Sequence, residues 1–159
     1  MSKTRKVLAV LSLIAALALM CVIFYLSNQP AQESNMLSDS VIEQIYSLNG
    51  LLVPVLIIRK AAHMCEYALL SFLFSNSFYL LKKKKWQIIS FILTFLYACS
   101  DEIHQLFIPG RAGMIIDVLI DSSGALLGLA AYFILIKIII KVRSKKDVRN
   151  PSVQSNKTD

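Results

Sequence analysis

Ionisable side chains occur inside three long apolar stretches of this sequence, where such groups are normally rare. The first stretch carries His63 and Glu66, the second Asp101, and the third Asp121. An imidazole beside carboxylates can transfer protons as general acid and base, so His63, Glu66 and Asp101 are the candidate catalytic residues. Because the sequence shows no serine paired with a base and no reactive cysteine pattern, hydrolysis by an activated water molecule is the reaction class that this set favours.

Further polar residues lie near these three in the sequence and form a candidate ligand-binding set. They are Arg59, Lys60, Tyr67, Glu102, Gln105, Arg111, Asp117 and Asp121. The two sets together hold five carboxylates and three basic side chains, which leaves two negative charges uncompensated when histidine is neutral. Protonation of a carboxyl group, a divalent cation or a cationic ligand would relieve that excess. A divalent metal therefore stays open as a cofactor, although the spacing matches no zinc signature.

The composition excludes a soluble domain of this size. Hydrophobic residues make up 56% of the 159 residues, and the mean hydropathy is +0.60. A soluble chain of this length has too little interior to bury so much apolar surface, whereas lipid accommodates it. The three cysteines, at positions 21, 65 and 99, lie in separate apolar stretches without metal-type spacing, so we interpret them as small apolar side chains.

Four apolar stretches are long enough to cross a bilayer, which needs about 20 helical residues for a hydrocarbon core of about 30 Å. They cover residues 7–27, 61–81, 86–108 and 115–136. The first is longer than the apolar part of a cleaved signal peptide, which has about 7 to 15 residues. The sequence thus predicts an all-α membrane protein. Its single transmembrane domain covers residues 7–140, after a basic N-terminus of residues 1–6 and before a basic, polar and disordered tail of residues 141–159.

Basic residues cluster where the apolar stretches end, and this pattern predicts the orientation in the membrane. The clusters are residues 3–6, 82–85 and 137–146. Positive charge favours the cytoplasmic side, so four spans with both termini inside satisfy all three clusters. The formal net charge of +7 is therefore assigned to membrane topology and not to nucleic-acid binding. Membrane lipid is the expected partner, and the oligomeric state is left open.

Residues 28–60 then lie outside, and part of this segment is predicted to form a short amphipathic helix on the membrane surface. Ser40 with Glu43 three residues later forms a capping-box pattern for its start, and Gly50 suits its end. Its apolar face holds Met36, Leu37, Val41, Ile42, Ile45, Tyr46 and Leu48. The conformation of residues 51–60 stays open between a re-entrant segment and the start of the second span.

The ionisable residues are predicted to lie at one depth. Glu66, Asp101 and Asp121 are each 15 or 16 residues from the basic end of their stretch, which corresponds to about 22 to 24 Å of helical rise. All three therefore fall in the outer leaflet. An ionised Asp facing lipid costs about 2.5 to 3.5 kcal/mol even on mild scales, so these side chains should point into the bundle. Gly124 and Gly128 continue the Asp121 stripe and predict close approach of a second helix.

Four segments of the sequence carry a recognisable pattern. Its residues are Ser27, Gln29 and Pro30; Arg59, Lys60, Ala62, His63, Glu66 and Tyr67; the run SDEIHQLFIPGR over residues 100–111; and Asp117, Asp121, Gly124 and Gly128. With this pattern the chain resembles the VanZ-like family of bacterial membrane proteins. The resemblance implies a multi-pass protein of four transmembrane helices in the bacterial cytoplasmic membrane, associated with the cell envelope. Some members of the family are associated with reduced susceptibility to the glycopeptide antibiotic teicoplanin, so the resemblance also implies such an effect as an expectation.

Three functions remain open at this point. The first is recognition of an anionic envelope lipid or lipid-linked cell-wall precursor, with Arg59 and Arg111 holding the head group. The second is intramembrane hydrolysis by His63, Glu66 and Asp101, with or without a metal. The third is ion or proton transport. The inner halves of the predicted spans lack charged residues, and this argues against a transport pathway through the bundle.

These residues also have structural explanations. His63, Glu66 and Tyr67 could form a hydrogen-bond network that only fixes helix packing, and the basic residues could serve as interfacial anchors. The recurrence of ionisable groups on three stretches at one depth favours ligand binding or catalysis. His104 lies near a predicted membrane boundary and is not expected to be essential.

Overall fold

Five helices make up the part of the chain that the structure describes, which is residues 2–50 and 53–149 of a computed structural model. They are α1 (Lys3–Ser27), α2 (Ala31–Asn49), α3 (Val55–Leu80), α4 (Trp86–Gln105) and α5 (Ile115–Arg149). No strand occurs within these residues, so the predicted all-α class is confirmed for them.

Prolines mark the starts of α2 and α3. Pro30 and Pro54 each occupy the position before the first helical residue, which suits a residue that has no backbone N–H to donate inside a helix. The predicted capping box is wrong, because α2 begins at Ala31 and Ser40 lies inside it, donating to a carbonyl one turn earlier at 3.3 Å. Gly50 ends α2 in the left-handed conformation, with a φ of 69°, as predicted.

The helices differ from the predicted spans mainly at their ends. α3 begins at Val55 and not at residue 61, so the helix starts before the second predicted span and includes residues 55–60. Residues 51 and 52 lie outside the described part. α4 ends at Gln105, before the predicted end near residue 108. α5 continues to Arg149, so the first part of the predicted disordered tail is helical, and the rest of that tail lies outside the described residues.

α3 is the central helix and packs against each of the other four. Its most extensive contact is with α5, where Gly124 faces the backbone of Met64 and Gly128 faces that of Ala68. A Cβ at either glycine would collide with the facing carbonyl group. This geometry confirms the predicted close approach of two helices at the small residues.

The two ends of the bundle differ in charge. At the basic end Arg5 of α1 donates to the Leu80 carbonyl at the end of α3 at 2.9 Å, so these two helices run in opposite directions. The basic clusters of this end are residues 3–6, 82–85 and 137–145. The opposite end, called the site end here, holds the end of α1, the starts of α3 and α5, and the α4–α5 loop of residues 106–114.

Two of the described helices are long and apolar enough to cross a membrane. They are Lys3–Ser27 and the Ile115–Lys145 part of α5, each of which contains a window of 18 residues with a mean hydropathy of 3.0 or 2.3, respectively. α3 and α4 do not meet the same criterion. Large apolar side chains such as Leu11 and Ile134, both 56% exposed, cover the outer faces of α1 and α5. These features are those of a membrane protein.

Candidate functional site

Asp101 is buried at the site end, with 3% of its surface exposed. Its Oδ2 accepts hydrogen bonds from the Ser27 hydroxyl at 2.8 Å and from Nε2 of Gln105 at 3.1 Å. Its Oδ1 is buried. Tyr67 is fully buried, and its hydroxyl lies beside the Asp101 carboxylate. One carboxylate therefore joins α1 to α4 and also lies against the Tyr67 hydroxyl of α3.

The neighbouring carboxylate, Glu102, holds the loop between α4 and α5. Its Oε2 accepts from the backbone N–H of Met114 at 2.9 Å, just before the first turn of α5, where such donors have no partner inside the helix. Gly113 lies so close to the Glu102 carbonyl that a Cβ there would collide with it. Glu102 therefore fixes where α5 begins and, through it, where the acids of that helix lie.

Two acids from the start of α5 lie at the site. Asp117 accepts from Nζ of Lys60 at 2.6 Å, in a partly exposed ion pair between α5 and α3. Asp121 is 1% exposed, and its Oδ2 has no hydrogen-bond partner within the described part of the chain. Its main charged neighbours are Glu102 and Asp101, so Lys60 neutralises only part of a crowded set of carboxylates.

His63 and Glu66 are one helical turn apart on α3, and Nδ1 of the imidazole lies 3.9 Å from the Glu66 carboxylate. This distance is too long for a hydrogen bond. The Nδ1 atom is buried and has no partner in the described residues. Asp101 is a charged neighbour of both side chains. The three candidate catalytic residues thus lie near one another, without the short hydrogen bonds of an assembled acid–base pair.

Arg111 reaches back from the α4–α5 loop to the end of α1. Its Nε donates to the Gln29 carbonyl at 2.9 Å and its Nη2 to the Leu26 carbonyl at 3.0 Å, so the guanidinium satisfies carbonyls at a helix end. Its Nη1 is buried and has no partner among the residues that the structure describes. Burial, followed by the nearby charge of Arg59, lowers the pKa of Arg111. Arg59 itself donates a long hydrogen bond of 3.4 Å to Asn35 of α2.

Two of the cavities at the site end share Arg59 and His63 in their walls. The larger, called the arginine cavity here, has a volume of about 200 Å³ and is lined by Leu26, Gln29, Ser34, Ser38, Val41, Ile58, Arg59, Ala62, His63, Glu66 and Arg111. The smaller, called the acidic cavity, has a volume of about 40 Å³ and is lined by Leu56, Arg59, Lys60, His63, Glu102, Gln105, Asp117, Ile120 and Asp121. The two arginines therefore meet in the first cavity and most of the acids in the second.

All the candidate residues from the sequence lie at this end of the bundle. Nine of them line one cavity or both, and Tyr67 and Asp101 are buried beside them. Their catalytic and binding roles stay predictions. Among the side chains that the structure describes, no group of three or more His, Cys, Asp or Glu residues has an arrangement that could hold a metal ion.

Three features of the site were not predicted from the sequence. Ser27 is a hydrogen-bond donor to Asp101, Asn35 accepts from Arg59, and α2 walls the arginine cavity through Ser34 and Ser38. The spacing of these two serines, four residues apart in the amphipathic segment, is the signal that could have shown a polar face directed at the bundle. His104 lines neither cavity; its ring stacks on that of Phe24, with centroids 4.7 Å apart.

Comparison with known protein families gives a match over most of the chain. The family model described as VanZ/LLP1 matches residues 12–137, which is most of the chain. The matched range includes both cavities' candidate residues and the whole α4–α5 loop. No curated protein matches the chain, and no solved structure matches it.

Proposed function

The chain belongs to the VanZ/LLP1 family, and on that basis we propose that it binds an anionic envelope lipid or lipid-linked cell-wall precursor in the bacterial cytoplasmic membrane. In this proposal α1, α3, α4 and α5 all cross the membrane, with both termini in the cytoplasm. The site end then faces outward at the level of the lipid head groups, with α2 on the outer surface. Binding of that ligand would alter susceptibility to teicoplanin.

The observation that carries the proposal is the pair of arginines in the arginine cavity. Arg59 and Arg111 are near enough for one positive charge to act on the other. Nη1 of Arg111 is buried in the described structure without an acceptor. Two guanidinium groups beside one cavity suit a phosphate or carboxylate, because such a group accepts several charge-assisted hydrogen bonds at once and screens the repulsion.

The other walls of the arginine cavity fit the rest of such a ligand. Leu26, Val41 and Ile58 supply apolar contacts for the first carbons of a lipid chain. Glu66 lies in the same wall and would accept hydrogen bonds from hydroxyl or amino groups of the head group. A volume of about 200 Å³ holds a head group, so the lipid chains would extend outside the cavity.

Native mass spectrometry of gently extracted protein, incubated with phosphatidylglycerol and with total envelope lipid, tests this proposal. The wild type should retain an anionic lipid. Arg59→Ala and Arg111→Ala should each reduce retention of the lipid in the arginine cavity by about tenfold, since each removes a charge-assisted contact. The same spectra would reveal a stoichiometric metal ion in protein prepared without chelator.

Lys84→Ala is the matched control, because it removes an exposed positive charge at the basic end, away from the cavity. Retention that is unchanged in both arginine variants would contradict the proposal. The effect on teicoplanin is tested separately, by growth of a bacterial host that expresses the wild type or Arg59→Ala at graded antibiotic concentrations.

A second candidate, intramembrane hydrolysis, is supported by one buried atom on a candidate catalytic residue. Nδ1 of His63 has no hydrogen-bond partner among the described residues and lies near Glu66 and Asp101, so it could hold a water molecule or a reacting group. In this alternative Glu66→Gln and Asp101→Asn should each abolish any resistance phenotype. A phenotype that survives both substitutions would remove hydrolysis from consideration.

A further inference from the structure

A cavity of about 470 Å³ lies at the basic end, opposite the site. It is bounded by α1, α3 and α5, and we call it the basic-end cavity. Its walls combine apolar residues such as Leu8, Ile136 and Ile139 with the guanidinium groups of Arg5 and Arg143. None of the described residues that line it is acidic, so the two positive charges are not balanced within the cavity.

The basic-end cavity continues a gap between α1 and α5. Both helices pack on α3, but in the described structure they make little contact with each other. Leu8 of α1 and Ile140 of α5 border the gap and are 50% and 56% exposed. Two apolar helices separated in this way form a groove of the kind that a lipid chain fills.

Arg5 is held in a fixed position at the top of this groove. Its Nε donates to the Leu80 carbonyl at 2.9 Å and its Nη2 to the Tyr79 carbonyl at 3.3 Å. Its guanidinium carbon lies 5.6 Å from the centroid of the Tyr79 ring. These contacts are to neutral groups, so they orient the side chain and leave its charge uncompensated. Arg143 of α5 lines the same cavity.

We propose that the basic-end cavity binds one anionic phospholipid, with its phosphate between Arg5 and Arg143 and one acyl chain in the groove between α1 and α5. The phosphate supplies the negative charge that the cavity walls lack, and the chain covers the apolar side chains of the groove. A soluble anion would leave that apolar surface exposed, and a zwitterionic lipid would bring no net charge. This site is separate from the arginine cavity, and it does not depend on the ligand proposed there.

The test compares lipids of identical chain composition on purified protein in detergent. Native mass spectrometry and thermal melting are followed as phosphatidylglycerol, phosphatidylcholine or glycerol 3-phosphate is added. Phosphatidylglycerol should bind and raise the melting temperature of Arg111→Ala protein, in which the arginine cavity is impaired. Arg143→Ala should weaken that binding by about fivefold, the usual share of one basic residue near a membrane surface.

Lys84→Ala is the control for general electrostatic attraction, because Lys84 is exposed at the same end and does not line the cavity. Leu8→Trp keeps every charge but fills the groove, so it should also weaken binding. Equal losses in Lys84→Ala and Arg143→Ala would overturn the proposal in favour of diffuse attraction. Equal stabilisation by phosphatidylcholine would show that no net negative charge is required, and equal stabilisation by glycerol 3-phosphate would show that no acyl chain is required. Either result would also overturn the proposal.

Discussion

The Ser27 hydroxyl at the end of α1 donates to Oδ2 of Asp101 on α4 at 2.8 Å, and both residues are buried. The two helices are also joined by the Tyr97 hydroxyl, which donates to the Met20 carbonyl at 2.6 Å, and by the stacked rings of Phe24 and His104, so this hydrogen bond is one of several links between them. Because Gln105 donates to the same oxygen, the orientation of the carboxylate is fixed from two directions. The geometry that ties the helices together thus also sets where Oδ1 lies in the site.

Ser27→Ala should lower the free energy of unfolding by about 1.5 to 3 kcal/mol, because it removes a hydrogen bond to a buried carboxylate. Denaturant titration of the purified protein in detergent measures the change. Ser100→Ala is the control: Ser100 is exposed and donates to the Tyr97 carbonyl within its own helix. Its loss should cost less than about 0.5 kcal/mol. Equal costs for the two variants would show that the bond to Asp101 does not link the helices.

Gly128→Ala should destabilise the protein by about 1 to 3 kcal/mol, the usual cost of forcing extra volume into a close contact. The added methyl group would meet the backbone carbonyl of Ala68, which cannot rotate away as a side chain does. Thermal melting in detergent reports the effect. Ala131→Val adds carbon to an exposed position of the same helix and should be nearly neutral. A neutral Gly128→Ala would mean that α3 and α5 are further apart than described.

Much of the site could be predicted because the position of charged residues and their spacing along a helix can be read from each stretch of the sequence alone. Glu66, Asp101 and Asp121 lie at matching distances from the basic ends of their stretches, and lipid penalises exposed charge, so their gathering at one end of the bundle follows from the sequence. Gly124 and Gly128 likewise show in the sequence which face of α5 meets another helix.

The remaining features depend on contacts between segments far apart in the sequence. A capping-box pattern at Ser40 is a local signal, and the start of α2 is set instead by Pro30. Arg111 turns toward the carbonyls of Leu26 and Gln29 only because the α4–α5 loop folds over the end of α1. The periodicity of the sequence does not show how this loop folds. Arg59 and Arg111 could therefore be predicted as binding residues, but their hydrogen-bond partners and their relative position could not.

Labelling with a membrane-impermeant maleimide should place the two ends on opposite sides of the membrane. In a variant without the native cysteines, Phe107→Cys should react in intact cells, because Phe107 is 78% exposed in the α4–α5 loop. Lys84→Cys should react only after permeabilisation, since the basic clusters favour the cytoplasm. Labelling of Phe107→Cys from the cytoplasmic side alone would reverse the orientation and exclude an outward-facing site.

Arg59 and Arg111 should separate ligand binding from stability. Arg111→Ala removes two hydrogen bonds, to the Leu26 carbonyl in α1 and to the Gln29 carbonyl just after it, so it should lower the free energy of unfolding by about 1 to 3 kcal/mol as well as lipid retention. Arg59→Ala loses a long bond of 3.4 Å to Asn35 and should cost less than about 0.5 kcal/mol. Its retention of phosphatidylglycerol should nevertheless fall as far as that of Arg111→Ala.

Both quantities are measured on the same preparation, by denaturant titration and by native mass spectrometry at matched protein concentration. Arg111→Lys sharpens the comparison, because it keeps the charge but cannot reproduce the guanidinium fork that reaches two carbonyls at once. It should therefore lose stability like Arg111→Ala and keep more lipid. If Arg59→Ala retains lipid fully while Arg111→Ala loses both properties, the lipid loss reflects disruption of the loop, and the assignment of the head group to the arginine pair fails.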